Sequence, residues 1–219
     1  MEIALLVLEI VGTIAFAISG ALVAIKAKND IFGVILLGCI TSFGGGIIRD
    51  LIIGRLPPAI FSRTYMVLIA VVVSVVVFII SYINRHKFTE FKKKIEHINN
   101  FFDAMGLAAF SVMGTEVAFA YGLEDKVFLS ITLGLLTGVG GGVIRDILVN
   151  DIPYILKKHV YAIVSIAGSS LYFVLRLYID NPIISISVPV IMIVTLRMLA
   201  AKYLWSLPKV HIDDEDTKK

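Results

Sequence analysis

Apolar residues run along this chain in long unbroken blocks. They neither alternate as in a half-buried strand nor form a narrow helical stripe. From Tyr65 to Ile83 no interior residue is more polar than Ser74, and a block of that length can cross a bilayer, which takes about 20 apolar residues. Read in windows of that length, the pattern predicts seven spans at 4–25, 31–53, 64–84, 102–122, 127–149, 159–178 and 183–204. Lipid offers backbone amides no partner, so each span is expected to be helical. In water the run VVVSVVVFII would favour a strand, but in lipid its length overrides that propensity. The expected fold is an all-α integral membrane protein.

Polar punctuation gives the sidedness. Lys26 and Lys28, then Arg85, Lys87, Lys92, Lys93 and Lys94, then Lys157 and Lys158, and finally Lys202, Lys209, Lys218 and Lys219 fall on one face of a seven-helix chain. Positive loops stay cytoplasmic, which predicts a multi-pass protein of the inner (plasma) membrane with its N-terminus outside and C-terminus inside. Arg55 and Arg63 are the exceptions, in an outer loop. The end HIDDEDTKK, within 206–219, reads as a disordered, solvated tail.

Composition agrees. Of 219 residues 58% are hydrophobic, against about 45–50% in soluble domains, and the mean hydropathy is +0.92. The net charge of +3 is read through loop placement and gives no nucleic-acid signal. Cys39 is the only cysteine, so no intrachain disulfide or cysteine metal cluster forms. His86, His97, His159 and His211 show no ligand spacing, and no cofactor is expected. The first apolar block carries Glu2 and Glu9 in place of a basic n-region, and it is too long for a signal peptide.

The chain repeats itself. At a shift of 96, Gly44 meets Gly140, Phe32 meets Phe128, Gly38 meets Gly134, Thr41 meets Thr137, Pro57 meets Pro153 and Tyr65 meets Tyr161. Upstream, at a shift of 94, Glu9 meets Asp103, Gly12 meets Gly106, Phe16 meets Phe110 and Gly20 meets Gly114. The expected units are 1–84, a basic linker 85–101, a second copy 102–178, a seventh helix in 179–205 and the tail. Three helices is an odd number, so the second copy enters the membrane inverted. Many transport proteins are built this way, with the site at the midplane.

Within the repeat, TSFGGGIIRD ends at Asp50 and TGVGGGVIRD at Asp146. Each glycine costs a helix about 1 kcal/mol relative to alanine, so Gly44–Gly46 and Gly140–Gly142 are expected to kink or unwind their helices and line a path. Close helix packing is the competing reading. Arg49 with Asp50, and Arg145 with Asp146, are adjacent and do not face each other on a helix. Other partners are therefore expected: Glu9 for Arg49 at the outer side and Asp103 for Arg145 at the inner side. Helix-end anchoring at the headgroups is the alternative. Glu116, whose repeat mate is Leu22, is a candidate path-lining carboxylate. Thr41, Ser42, Thr115 and Thr137 could supply hydroxyls or bond back to their own helices. Arg197 could meet lipid headgroups, another subunit or the path.

With GGGIIRDLIIGRLPP at 44–58, GGGVIRDILVNDIP at 140–153 and seven spans, the chain resembles bacterial members of the trimeric intracellular cation (TRIC) channel family, also catalogued as a glycine transporter domain. The resemblance covers residues 1 to about 205. It implies a homotrimer in the lipid bilayer, with a pore in each protomer where glycine-bearing helices 2 and 5 bend, passing monovalent cations, chiefly K⁺, with Na⁺ a further candidate. Arg49, Asp50, Arg145 and Asp146 carry over as motif members without assigned roles. The second copy departs at Asn150-Asp151, where the first has Gly54-Arg55, and at Tyr154, where the first has Pro58. The residues leave two functions open, a passive cation channel and a carrier for glycine or another small amino acid whose carboxylate an arginine would bind. The sequence lacks GxxxxGK[ST], HExxH and a nucleophile–base pair, so no enzyme is expected.

Overall fold

The structure, a computed structural model, describes residues 1–84, 92–157 and 160–205. The expected tail, the loop residues Arg85, Lys87 and Lys158, and His86, His159 and His211 lie outside the described residues. Among the described residues seven helices are long and apolar enough to span a membrane: α1 (Glu2–Lys26), α2 (Ile31–Ile52), α3 (Thr64–Ile83), α4 (Lys92–Ala120), α5 (Val127–Leu148), α6 (Val160–Tyr178) and α7 (Pro182–Lys202). The protein is an all-α membrane protein with two inverted three-helix repeats, α1–α3 and α4–α6, followed by α7. The β-branched run lies inside α3. That helix exposes Leu68, Val72, Val76, Ile79, Ile80 and Ile83 on an apolar flank, which lipid can solvate.

Two expectations about the helices are corrected. First, α4 begins well before residue 102. Hydropathy reads its early polar residues as loop, but some of them face inward: Asn99 Oδ1 accepts from Ser19 Oγ (3.0 Å) and Asn100 Oδ1 from the Tyr154 hydroxyl (3.1 Å). Asp103 therefore sits inside a helix instead of starting one. Second, α2 and α5 run as continuous helix through Gly44–Gly46 and Gly140–Gly142. The triplets do not unwind. An opened turn in lipid would strand backbone groups, and the absence of side chains is used to bring the two helices together.

Both helices stop in the same way. Gly54 and Asn150, repeat mates, have φ of +72° and +56°. The next amides return to the helix, Arg55 N to Asp50 O (2.8 Å) and Asp151 N to Asp146 O (2.9 Å). Glycine and asparagine are the residues that best tolerate this left-handed cap, so the Gly-to-Asn departure preserves the local fold. A 3₁₀ turn at Ala59–Ser62 follows α2, and a single helical turn at Tyr154–Lys157 follows α5.

Candidate functional site

The glycine triplets meet each other at the α2–α5 crossing. A Cβ placed on Gly45 would collide with the Thr137 carbonyl oxygen, and one on Gly141 with the Thr41 carbonyl oxygen. Gly44 faces Gly141, and Gly140 faces Gly45. The third glycines point elsewhere. A Cβ on Gly46 would have Arg49 Nη2 nearest, at 3.7 Å, and one on Gly142 would have Arg145 Nη2 at 3.6 Å. The first two glycines of each triplet thus serve close packing, which leaves no passage between α2 and α5 there, and only the third faces a flank. Thr41 and Thr137 do not offer hydroxyls to a path. Each donates to its own helix, at Leu37 O and Leu133 O (2.6 Å in both). Each is also held against a glycine of the neighbouring helix, Gly20 for Thr41 and Gly114 for Thr137. Ser42 and Thr115 likewise bond back, to Gly38 O (2.9 Å) and Ser111 O (3.0 Å).

The Arg-Asp pairs do close on themselves, contrary to the expectation from helical spacing. Arg49 Nε and Nη2 donate to Asp50 Oδ1 (2.9 and 2.8 Å), and Arg145 Nε donates to Asp146 Oδ1 (2.8 Å). A long guanidinium can curl back to a neighbouring short carboxylate even where the Cβ vectors diverge. The second carboxylate oxygen ties down the next turn, Asp50 Oδ2 accepting from Ala59 N (2.7 Å) and Asp146 Oδ2 from Tyr154 N (2.8 Å). An aspartate at a helix C-terminus opposes the dipole. Here the arginine and the loop amide offset that cost. Each motif is a clamp between a helix end and the segment that follows it.

Beyond the clamp the two ends differ. At the Asp103 end, Arg145 Nη1 reaches Asp103 Oδ1 (3.0 Å) and Ser19 Oγ (2.9 Å). Arg197 of α7 adds a second guanidinium, with Nη2 4.0 Å from Asp103 Oδ2 and Cζ 4.4 Å from the Tyr161 ring centre. Asp103, Arg145 and Arg197 are only 4, 3 and 3% exposed, so Arg197 is a buried member of this network and not a headgroup contact. At the opposite end Glu9 pairs with Arg63, not with Arg49, which corrects that expected pair. Arg49 is already satisfied by Asp50, and Arg63 stands nearer the mouth. The Arg63 side chain is 42% exposed, so Arg63→Ala is expected to change stability by less than about 1 kcal/mol. Thermal unfolding in detergent checks this, and a cooperative transition displaced by more than about 5 °C would contradict it.

A cavity of about 600 Å³ enters from the Glu9 end between α1, α2 and α4. Glu116 and Glu9 stand on its walls, and it reaches Ser42, Gly46 and Phe110. Glu116 Oε2 accepts from the Tyr172 hydroxyl (2.7 Å) and Arg176 Nε (3.2 Å). Deep in the cavity Phe110 stacks on Phe16, with ring centres 5.3 Å apart and planes at 20°. The repeat sets this stack: Phe110 lies against Gly12 of the first copy, and Phe16 against Gly106 of the second. The roles of Ser19, Arg176 and Arg197 were not legible from the sequence. Arg63 left a trace there, since a basic residue on the wrong side of the charge pattern hints at a carboxylate partner.

The family described as Glycine transporter matches the chain twice, at residues 6–82 and 100–176, so its three-helix unit occurs in both copies. The chain is 34% identical over 209 residues to the inner membrane protein YadS of Escherichia coli (strain K12), covering 94% of this chain and 96% of that one. It is 38% identical over 164 residues to the membrane protein YvgT of Bacillus subtilis (strain 168), covering 74% and 75%. Among solved structures it is similar to a prokaryotic TRIC channel crystallised in 0.5 M KCl, with 36% identity and a TM-score of 0.83 over 94% of this chain and 100% of that one. It is also similar to the TRIC trimeric intracellular cation channel orthologue from Rhodobacter sphaeroides, with 28% identity and a TM-score of 0.81 over 92% and 99%. Twice-repeated unit, seven helices and near full-length likeness together make this chain a bacterial member of the TRIC family.

Proposed function

We propose that this protein is a cation channel that passes monovalent cations, chiefly K⁺, through a path within each protomer of a homotrimer. The path runs on the flank of the α2–α5 crossing, past Gly46 and down the cavity from the Glu9 end. The solved structures it resembles are described as TRIC cation channels, which supports the class. The observation that carries the reading is the pairing of the motif arginines. A bare guanidinium beside the path would repel a cation strongly at low dielectric. Arg49 is held by Asp50, and Arg145 by both Asp103 and Asp146. Glu116 on the cavity wall is held through Oε2 by Arg176 and Tyr172, and its other oxygen supplies an acceptor for a passing cation. A carrier for glycine would bind the substrate carboxylate with an arginine fork; the motif arginines spend theirs on aspartates, which leaves Arg55 on the cavity wall as the arginine that reading would have to use. The sidedness follows the lysines: Lys26, Lys28 and Lys202 lie at the Asp103 end, which is cytoplasmic with the N-terminus outside.

The test is purified protein in a planar bilayer beside the same protein in liposomes supplied with labelled glycine. Unitary K⁺ currents without saturable glycine uptake are the expected result. Saturable uptake without unitary currents would replace the channel by a carrier.

A further inference from the structure

The inverted repeat assigns a partner to every residue of the open cavity. Phe110, Met113, Gly46 and Tyr65 line it, and their repeat mates are Phe16, Ser19, Gly142 and Tyr161. Those mates sit together at the Asp103 end between α1, α4 and α5, and all are buried. Tyr65 is 48% exposed and Tyr161 is 2%. The same architecture is thus open at one end and closed at the other. Two side chains account for the difference. Arg145 extends to Ser19 and Asp103, whereas its mate Arg49 bonds back to Asp50 through Nε and Nη2. Arg197 lies over Tyr161 and, at 5.4 Å, over Tyr154. It comes from α7, the one spanning helix without a repeat mate, so nothing corresponds to it in the open half.

We propose that Arg197 is a positioning residue that latches a second cavity shut, the repeat image of the open one, and that its withdrawal from Asp103 and Tyr161 completes the cation path. The inference rests on the channel reading above. Three features suit a latch. Arg197 Nε is buried with no hydrogen-bond partner among the described residues, a costly state for a donor. Its contact with Asp103 is a 4.0 Å approach and not a close bond. Its hold on Tyr161 is a face contact that a planar guanidinium makes and an ammonium does not reproduce. The part of the closed state that Arg197 holds is therefore made of contacts that can be exchanged without breaking the Arg145–Asp146 clamp or the Arg145–Asp103 bond.

The test uses full-length protein in a Cys39→Ala background and a cationic, membrane-impermeant methanethiosulfonate reagent. Leu22→Cys reports the closed half, because Leu22 is buried while its mate Glu116 lines the open cavity. Met113→Cys reports the open half. With Arg197 intact, Met113→Cys is expected to label fast and Leu22→Cys slowly. Adding Arg197→Gln is expected to raise the Leu22→Cys rate at least tenfold and leave the Met113→Cys rate within twofold. Arg197→Lys is expected to fall between, and it stands in if the glutamine variant does not fold. A Leu22→Cys rate unchanged in both variants overturns the latch, as does a parallel rise at both sites with loss of cooperative unfolding. K⁺ flux is measured on the same samples. Flux with Leu22→Cys still protected defeats the latch alone, and a freed Leu22→Cys with no K⁺ flux in any variant defeats the channel reading while the latch stands.

Discussion

Gly45→Val and Gly141→Val are each expected to cost about 3 kcal/mol or more of stability, the upper part of the range for overpacking a tight contact. The obstacle at each position is a backbone carbonyl of the opposite helix, Thr137 O for Gly45 and Thr41 O for Gly141. A carbonyl inside a continuous helix cannot rotate away, so the helices must separate and the whole crossing with them. Gly44 is a milder case, because its nearest obstacle includes the end of the flexible Ile144 side chain, at 2.9 Å. Gly46 is different in kind. Nothing lies closer to an added Cβ than Arg49 Nη2 at 3.7 Å, and alanine recovers about 1 kcal/mol of helix propensity. Gly46→Ala is therefore expected to melt no lower than the parent. Gly46→Leu is expected to fold and to lose most K⁺ flux by filling the cavity it lines. Thermal unfolding, size-exclusion chromatography and flux on the four variants separate these roles. A normal melting temperature for Gly45→Val would mean that the crossing is not close.

The sequence carried the architecture because bilayer length, loop charge and repetition are one-dimensional signals. Apolar length predicts spans at 31–53 and 127–149, one residue beyond the helices Ile31–Ile52 and Val127–Leu148, because it fixes both ends. Hydropathy misses the start of α4 for the converse reason. Asn99 and Asn100 are polar because they face Ser19 and Tyr154, and hydropathy cannot tell a polar residue facing a polar interior from one facing water. The glycine triplets were visible, but a missing side chain records only that something comes close. Whether that is an ion or Thr137 O depends on how two helices cross, which periodicity does not encode. The arginine partners split along the same line. Asp103 pairs with Arg145, as the repeat suggests, whereas symmetry points Glu9 to Arg49 and the structure pairs it with Arg63. Symmetry fails where the copies differ: Arg63 has His159 as its repeat mate, and α7 packs mainly on the second copy.

Asp103→Ala is expected to destabilise the protein by about 3–5 kcal/mol, the cost of removing one partner from a buried ionic group. Asp103 Oδ1 takes Arg145 Nη1 at 3.0 Å and Ser19 Oγ at 3.4 Å, and Oδ2 lies 4.0 Å from Arg197. Without it Arg145 keeps only Asp146 as a carboxylate partner, which already holds the Tyr154 amide with its other oxygen, and Arg197 loses its carboxylate, while both guanidiniums stay 3% exposed. Asp103→Asn keeps an acceptor but removes the charge, so it is expected to lose less than alanine and still more than any change at Glu9. The repeat mate is the internal control. Glu9 answers to Arg63, whose side chain is 42% exposed and can turn to water, so Glu9→Ala is expected to cost less than about 1 kcal/mol. The measurement is the pair of unfolding transitions under one detergent condition. Equal shifts for Glu9→Ala and Asp103→Ala would mean that the Asp103 end is as hydrated as the other, with no sealed charge cluster. Unequal shifts at positions that the repeat makes equivalent would come from what the copies do not share: Arg63 where the second copy has His159, Ser19 where it has Met113, and α7 with Arg197 against Asp103.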